Sequence, residues 1–489
     1  TTKRADAFGY SIFLTGVGII RLYEICPEAE KAGTQNAVVT GVTDNTAEVK
    51  QGSIFVCVKG ARFDGHSAAA EMLSKGAVMI VTDHDIKCGK QLVTDNTRLC
   101  LARLLNSFYG KPSEKLGLLA VTGTNGKTTT AHFVKHILTT LGKKCGCIGT
   151  AGNDTCSGKL KPSQHGTPTV PRATVLYSWL GEMVSNGADY CVMEASSQAL
   201  DQYRIGDERI AVAGFTNLTR DHLDYHGTME NYFQAKRRVF TMCKTAVINI
   251  DDEYGKRLAR EFSDIAVTYS TEGNADYHAE FIRMNATGCS YMLVNEREKT
   301  ACRVDMNMTG LYNAIAMVTA LGFDMTECAK ALSDLDGVDG RMNVVYRGDF
   351  TVITDYAHTD DALIKVLSTL KPLTKGRLIC VFGAAGDRDK EKRPMMAKAA
   401  EDNADILVIT SDNPAHENPD EIIREVMTGI SGKKPDRREA IAYALDTARK
   451  DDVIILCGKG HETYQIIGDE YLPFSEKEIV KDIMKRKEN

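Results

Sequence analysis

The residues best suited to chemistry lie between Leu118 and Leu141, in the run LLAVTGTNGKTTTAHFVKHILTTL. Gly123, Thr124, Asn125 and Gly126 make a tight glycine turn, and Lys127, Thr128, Thr129 and Thr130 follow it. Backbone N–H groups in such a turn, with a helix N-terminus behind them, face an anion. The lysine reaches the outer phosphates and a threonine hydroxyl can hold Mg²⁺. The spacing departs from G-x-x-x-x-G-K-[ST] because Val121 stands where the first glycine belongs. A glycine-rich turn that binds no nucleotide is the alternative reading.

A second group gathers Glu194, Asp221, His222, Asp224 and His226. A carboxylate and an imidazole from neighbouring strand ends would complete a Mg²⁺ shell with Thr128. The Asp221–His226 run taken alone is also open to a zinc site or a plain hydrogen-bonded loop. Further on, Gly383-Ala-Ala-Gly-Asp-Arg-Asp-Lys390 sets Arg388 and Lys390 on a glycine turn. There a guanidinium fork and a point charge can neutralise phosphate. Asp355-Tyr-Ala-His358 and Gly458-Lys-Gly-His-Glu462 each end an apolar run.

Strands and helices must carry these groups. Leu118–Val121 reads as a short buried strand, and Phe133, Ile137, Leu138 and Leu141 share one helical face with Gly142 at the C-terminal cap. Tyr190–Met193 and Ala211–Phe215 are strands that lead into Glu194-Ala-Ser-Ser-Gln198 and Thr216–His222. Ligands of open parallel sheets bind at the carboxyl ends of strands, so both polar loops are expected to face the nucleotide. The expected fold class is α/β with three domains. Residues 1–112 form a small α/β unit, with strands at Ser53–Val58 and Ala77–Val81 and a helix over Ser67–Ser74. Residues 113–340 form a doubly wound domain around the phosphate cradle. Residues 341–489 form a Rossmann-like domain with strands at Thr351–Thr354, Arg377–Phe382, Asp405–Ile409 and Asp452–Leu456, and Glu476–Asn489 is an amphipathic helix.

A chain of 489 residues exceeds one ordinary core. A net charge of −5 gives no electrostatic footprint for nucleic acid or an anionic membrane. Ser11–Ile20 is too short and too broken by Gly16 and Gly18 to span a bilayer, so no membrane insertion and a cytosolic location are expected. Fourteen scattered cysteines fit reduced thiols; Cys145, Cys147 and Cys156 lack a second ligand pair and read as buried apolar groups.

Taken in order, Gly123-Thr-Asn-Gly-Lys-Thr-Thr129, Glu194-Ala-Ser-Ser, Thr216–Gly227, Ala235-Lys236, Gly340-Arg341, Asp355–Thr359, Gly386–Lys390, Asp412-Asn-Pro414 and Gly458–Glu462 resemble the motifs of the Mur ligase family over nearly the whole chain. These are cytosolic ATP-dependent amide-forming enzymes of peptidoglycan precursor synthesis. The resemblance runs to the member that adds the third amino acid to UDP-N-acetylmuramoyl-L-alanyl-D-glutamate. It implies that the γ-phosphoryl of ATP passes to the D-glutamate carboxylate, after which an amine displaces phosphate from the acyl phosphate; a monomer is expected. It places ATP on Gly123, Thr124, Asn125, Gly126, Lys127, Thr128 and Thr129, with Asn313 at adenine and Arg341 and Asp355 as nucleotide contacts from the third domain. Thr128, Glu194 and His222 would hold Mg²⁺, Lys236 would carry a CO₂-derived carbamate, and His358 and Lys390 would lie near the transferred phosphate. Closure about a hinge near Gly340 is expected.

The first domain would bind the UDP moiety through Thr46, and Thr167, Ser196, Gln202 and Arg204 would hold the muramoyl peptide. Asn45, Ala47, Gly166, Gln198 and Asp360 depart from the family pattern, which leaves open a paralogue with a shifted acceptor or a non-catalytic binder. A folylpolyglutamate or cyanophycin type ligase shares the cradle but not the N-terminal unit. A P-loop motor or GTPase is the remaining rival. Arg388, Asp412, Asn413, Gly458 and Glu462 would meet the free amino acid. Family members that add meso-diaminopimelate carry Arg where this chain has Ala415. Without that cation the distal carboxylate is unpaired, so L-lysine is the expected donor, its ε-ammonium facing Asp412 and Glu462.

Overall fold

The structure, a computed structural model, describes residues 20–28, 36–60, 63–158, 160–161, 169–271, 273–285, 288–296, 298–304, 311–333, 335, 337–427 and 436–488. The chain divides into two compact units. One comprises the residues up to Ser113 with Arg172–Gly181 and Gln202–Asp207, and the other comprises the remainder.

The first unit holds a four-stranded parallel sheet in the order Gly41–Thr43, Ser53–Val56, Met79–Thr82, Gln91–Val93. Its middle strands are apolar and buried along their length, as a sheet covered on both faces requires. Phe55, Cys57, Met72, Ala77 and Ile80 close one core. The helix expected over Ser67–Ser74 begins as a 3₁₀ turn, Gly65–Ala68, and becomes α-helical at Ala69–Ser74. Asp64 caps that turn by accepting from the His66 N–H.

In the second unit the long sheet runs Lys299–Val304, Gly288–Val294, Tyr277–Asn285, Ala266–Ser270, Cys243–Asn249, Ile210–Phe215, Gly117–Thr122, Tyr190–Glu194, Cys145–Ile148, Asn153–Asp154, Leu160–Lys161. From Tyr277–Asn285 to Cys145–Ile148 the pairs are parallel. The cradle strand Gly117–Thr122 sits between strands reached later in the chain, so the order reverses beside it, where open α/β sheets bind ligands. The antiparallel extension through Gly288–Val294 and Lys299–Val304 is absent from the sequence reading. Lys299–Val304 is broken by Lys299 and Arg303, and the apolar run Tyr291–Val294 is only four residues long, too short to separate strand from helix by pattern.

A third sheet runs Asn343–Arg347, Thr351–Asp355, Val453–Cys457, Leu378–Phe382, Ile406–Ile409, with only the first pair antiparallel. Helices cover both faces, with Leu363, Leu367 and Met396 on one side and Ile441, Leu445, Ile479 and Val480 on the other. The C-terminal helix Glu476–Glu488 therefore buries one stripe. All fourteen cysteines are free, and burial pushes the Cys147 thiol up to about 12. Among the described residues no helix is long and apolar enough to cross a membrane.

Candidate functional site

The cradle helix, Lys127–Thr140, starts directly after the glycine turn. Gly123 has φ +146°, and a Cβ there would lie 1.8 Å from Thr216 Oγ1, so no other residue fits. The next strand end locks the turn. Asn125 N–H donates to Asn217 Oδ1 at 3.0 Å, Thr124 N–H donates to the Asn217 carbonyl at 2.8 Å, and Thr216 Oγ1 donates to the Asn125 carbonyl at 2.6 Å. Lys127 Nζ folds back onto the Gly123 and Thr124 carbonyls at 3.0 and 2.7 Å. Desolvation lowers its pKa, against the pull of Glu194 and Asp221. Thr129 is buried at the mouth of the helix.

Glu194 ends the strand beside the cradle strand and is 1% exposed. Its carboxylate accepts from Thr128 Oγ1 at 2.9 Å, the Thr150 N–H at 2.7 Å and Thr150 Oγ1 at 3.2 Å. Arg341 donates to Thr128 Oγ1 at 3.0 Å and stacks 4.6 Å from the Tyr356 ring centroid. Two hydroxyls and a buried carboxylate thus converge beside the cradle, a hard oxygen donor set that suits Mg²⁺.

His222 takes a left-handed backbone (φ +53°), with Nε2 3.4 Å from Asp221 Oδ2. Desolvation, followed by Lys127 and Lys236, lowers its pKa to about 4 against the pull of Asp221. The neutral imidazole keeps a lone pair for a metal. His226 stands apart, buried with Nε2 2.9 Å from Ser197 Oγ. Lys236 is 1% exposed, and its Nζ donates to the Gly123 carbonyl at 2.6 Å and sits 4.6 Å from the Tyr232 ring centroid. Burial, then Lys127, lowers its pKa well below the usual lysine value, and among the described residues no carboxylate ion-pairs with it. A neutral amine is the form that adds CO₂, so the pocket fits a carbamate.

Asn313 is fully buried under Gly214, where a Cβ would lie 2.7 Å from Asn313 Oδ1. Neither of its amide atoms meets a hydrogen-bond partner of good geometry among the described residues. Asp355 spends both oxygens on the Met342 and Ala357 N–H groups, each at 2.8 Å, and desolvation raises its pKa. His358 Nδ1 lies 2.7 Å from the Tyr356 carbonyl, which fixes the proton there and leaves Nε2 as the free nitrogen. Lys390 pairs with Glu417 at 3.1 Å, while Arg388 is exposed and makes no ion pair among the described residues.

The loop expected to meet the amino acid, Asp412–Ala415, follows the strand Ile406–Ile409. Asp412 is buried, and Gly458 at φ +115° leaves room for its carboxylate, since a Cβ there would lie 2.3 Å from Asp412 Oδ2. Asn413 donates to Glu462 at 2.9 Å and accepts from Lys459 Nζ at 2.8 Å. Ala415 is left-handed (φ +49°) and is tied by its N–H and carbonyl to Ile466 and Gly468. Gly340 has φ +67° and abuts His461 N.

Ser196 caps the short helix that follows it, accepting from the Ala199 N–H at 3.3 Å. In the first unit, Thr46 lies in the turn after Gly41–Thr43, and Gln202 Oε1 accepts from Arg204 at 2.8 and 3.2 Å. Thr167 lies outside the described residues. Sequence reasoning missed Thr150, Asp361, Lys459 and the buried Arg437–Glu476 pair. Asp361 accepts from Asn125 Nδ2 at 2.8 Å and Thr219 Oγ1 at 2.9 Å, linking the cradle to the helix Asp360–Leu370. Only Lys459, inside a glycine motif, carried a readable signal.

Fold and cradle together define a three-domain α/β protein built around a phosphate-binding turn. Family profiles match along the chain: "Mur ligase family, catalytic domain" over residues 38–120, "Mur ligase middle domain" over 121–323 and "Mur ligase, glutamate ligase domain" over 340–460. The chain is 41% identical over 461 residues to the UDP-N-acetylmuramoyl-L-alanyl-D-glutamate–2,6-diaminopimelate ligase of Aquifex aeolicus, covering 91% of this chain and 94% of that protein. It is 40% identical to the enzyme of the same name from Caldanaerobacter subterraneus, over 94% and 97% of the two chains. A solved structure of a ligase of that name superposes with a TM-score of 0.72 at 31% identity, over 96% of this chain and all of the other. The chain belongs to the Mur ligase family.

Proposed function

We propose that this chain adds the third amino acid to UDP-N-acetylmuramoyl-L-alanyl-D-glutamate at the expense of ATP, as a cytosolic monomer, and that L-lysine is the donor. The observation that carries the reading is the convergence of Thr128, Glu194, Lys127 and buried Lys236 on one glycine turn. Residues 1–112 serve the UDP moiety through Thr46, residues 113–340 the ATP, and residues 341–489 the donor; the three modules close about Gly340. Thr167, Ser196, Gln202 and Arg204 serve the muramoyl peptide.

Lys127 leaves its two carbonyl acceptors to meet the outer phosphates of ATP, and Asn313 offers its amide to adenine. Arg341 lies against the nucleotide from the third domain, and Asp355 acts by holding the Met342 and Ala357 backbone that shapes this wall. The acceptor carboxylate attacks the γ-phosphorus, the bond to the β-phosphate oxygen breaks, and ADP leaves. The donor amine then adds to the acyl carbon, loses a proton, and inorganic phosphate departs with the C–O electron pair. Thr128, Glu194 and His222 would hold Mg²⁺ and Lys236, as its carbamate, would add an oxygen ligand; such an ion would supply charge neutralisation for the transferring phosphoryl group. His358 Nε2 and, once released from Glu417, Lys390 face that phosphate.

Donor choice rests on the loop charges. Arg437 and Glu476 neutralise one another, which leaves Asp412 and Glu462 against Lys459 alone. The surplus carboxylate suits an ε-ammonium, Arg388 takes the α-carboxylate, and Asn413 and Gly458 set the walls. Ala415 offers no cation to a distal carboxylate. The second reading, 2,6-diaminopimelate, is favoured by the names of the relatives. Incubating purified protein with ATP, the UDP-linked dipeptide and each donor, then measuring ADP and the lengthened product by mass spectrometry, tests both. Faster turnover of diaminopimelate overturns the lysine assignment, and no product with any donor overturns the reaction.

A further inference from the structure

Two imidazoles and a carboxylate that have no role in the site above meet in the first unit. Strands Ser53–Val56 and Met79–Thr82 are parallel neighbours, so the segments leaving them emerge at one sheet edge. Gly65 packs close to the backbone, since a Cβ there would lie 2.9 Å from Val58 N. That approach brings His66 beside Asp83 and His84, which directly follow the strand Met79–Thr82.

His66 Nδ1 lies 2.6 Å from Asp64 Oδ1, which also accepts from the His66 N–H at 3.1 Å. In the neutral ring that contact places the proton on Nδ1, the orientation a carboxylate gives a metal-bound imidazole. Nε2 is left with a lone pair. The His66 side chain is 10% exposed, and Nε2 is buried without a hydrogen bond, 3.2 Å from Asp83 Oδ1. The same Asp83 oxygen lies 2.5 Å from His84 Nδ1, and the two imidazole centroids are 4.9 Å apart. A lone pair facing a carboxylate oxygen is repulsive unless positive charge sits between them. The three ligand atoms lie within 4.8 Å of one another. The 3.2 Å edge compares with ~3.4 Å between ligands of a tetrahedral Zn²⁺ with bonds of about 2.1 Å, whereas the Asp83–His84 contact is a hydrogen bond that must open, by rotation of the exposed His84, to admit an ion.

We propose that His66 Nε2, Asp83 and His84 form a divalent transition-metal site of zinc type, with Asp64 as the carboxylate that orients His66. Two nitrogens and one oxygen select zinc, cobalt or nickel over Mg²⁺. Exposed His84 and Asp83 leave the remaining position to water. The ion clips the turn before the 3₁₀ helix to the end of the strand Met79–Thr82, and it stabilises the folded unit by mass action.

The test uses the full chain, stripped with chelator and free of nucleotide and Mg²⁺, titrated with ZnCl₂ by calorimetry and with Co²⁺ by absorption. One zinc per chain is expected, with a cobalt spectrum of nitrogen and oxygen ligands. His84→Ala changes an exposed side chain, so its metal-free melting curve should match that of the parent while zinc affinity falls at least tenfold. Asp64→Asn should weaken binding by about 10–100-fold. Equal zinc binding by the parent and His84→Ala overturns the site. So does a sulfur-to-cobalt charge-transfer band, which would assign the ion to cysteines, and so does the absence of zinc binding by the parent.

Discussion

The cradle and the donor loop both gather buried charge, but they treat it differently. In the cradle, Lys127 and Lys236 point at backbone carbonyls, and among the described residues neither has a carboxylate within hydrogen-bonding reach. In the donor loop the fully buried Lys459 and Arg437 each meet an acidic partner, at 3.1 Å to Glu462 and 2.8 Å to Glu476. Amines without an acidic partner are costly to hold charged in the interior, which favours the neutral form of Lys236, and they are ready to engage an anion or CO₂ that arrives. Cations with partners are permanent, and they shape a wall in which Asp412 is the charge left over.

If that contrast holds, breaking a buried pair around Asp412 costs stability, whereas removing a lysine from the cradle costs turnover. The largest effect is expected at Arg437, which also donates to the Ser411 and Cys457 carbonyls at 3.2 and 2.7 Å. Arg437→Leu leaves Glu476 buried and uncompensated, and should lower unfolding free energy by about 3–5 kcal/mol in urea titration. The double variant Arg437→Leu, Glu476→Leu should recover most of that loss. A double variant as unstable as the single one would mean that the pair itself, not the orphaned charge, carries the energy. Next comes Lys236→Ala, expected to cut turnover by about 10²–10³-fold with little change in melting temperature. Partial rescue by a short carboxylic acid should follow, because it restores an oxygen ligand, and full activity without the acid would remove the carbamate from the mechanism.

The same contrast explains what was legible in the sequence. The cradle was readable because phosphate binding constrains residue types locally. Gly123 needs φ +146° and no Cβ, Lys127 follows within one turn, and the strand before it is continuously apolar. Glu194 and Thr216 were readable as strand ends, since parallel sheets place function there. Arg437 and Glu476 were invisible: they are 39 residues apart, each sits in an ordinary-looking helix start, and only tertiary packing makes them partners. Lys390 and Asp355 show a related limit. Sequence assigns them to ligands, while in this structure Glu417 and two backbone N–H groups engage them. Residue type reveals what a group can do, and the fold decides which partner holds it.

A smaller effect tests the selectivity half of the contrast. Ala415 already occupies a left-handed backbone, so Ala415→Arg adds a guanidinium without new backbone strain. One charge-assisted hydrogen bond to a distal carboxylate is worth about 1.5–3 kcal/mol, roughly 10–100-fold. The ratio of kcat/KM for diaminopimelate to that for lysine should rise by that factor. An unchanged ratio would place donor selection elsewhere in the loop.

The smallest effect concerns Glu417, which accepts from Arg393 at 2.9 and 3.0 Å and holds Lys390. Hydrogen bonds from Arg393 bring its carboxyl from the ordinary 4.5 down to about 2. A depressed folded-state pKa means that the folded protein binds fewer protons than the unfolded chain between those two values. The contribution of Glu417 is therefore complete above about pH 4.5 and is lost as pH falls through about 2. Glu417→Gln removes the titrating group, so the urea midpoint of the variant should fall less steeply than that of the parent across this window. Its solvent-facing side keeps the effect small. Parallel acid limbs for the two proteins would mean that the Arg393–Glu417 contact contributes nothing to stability, and would leave Lys390 as free to re-pair as the cations of the cradle.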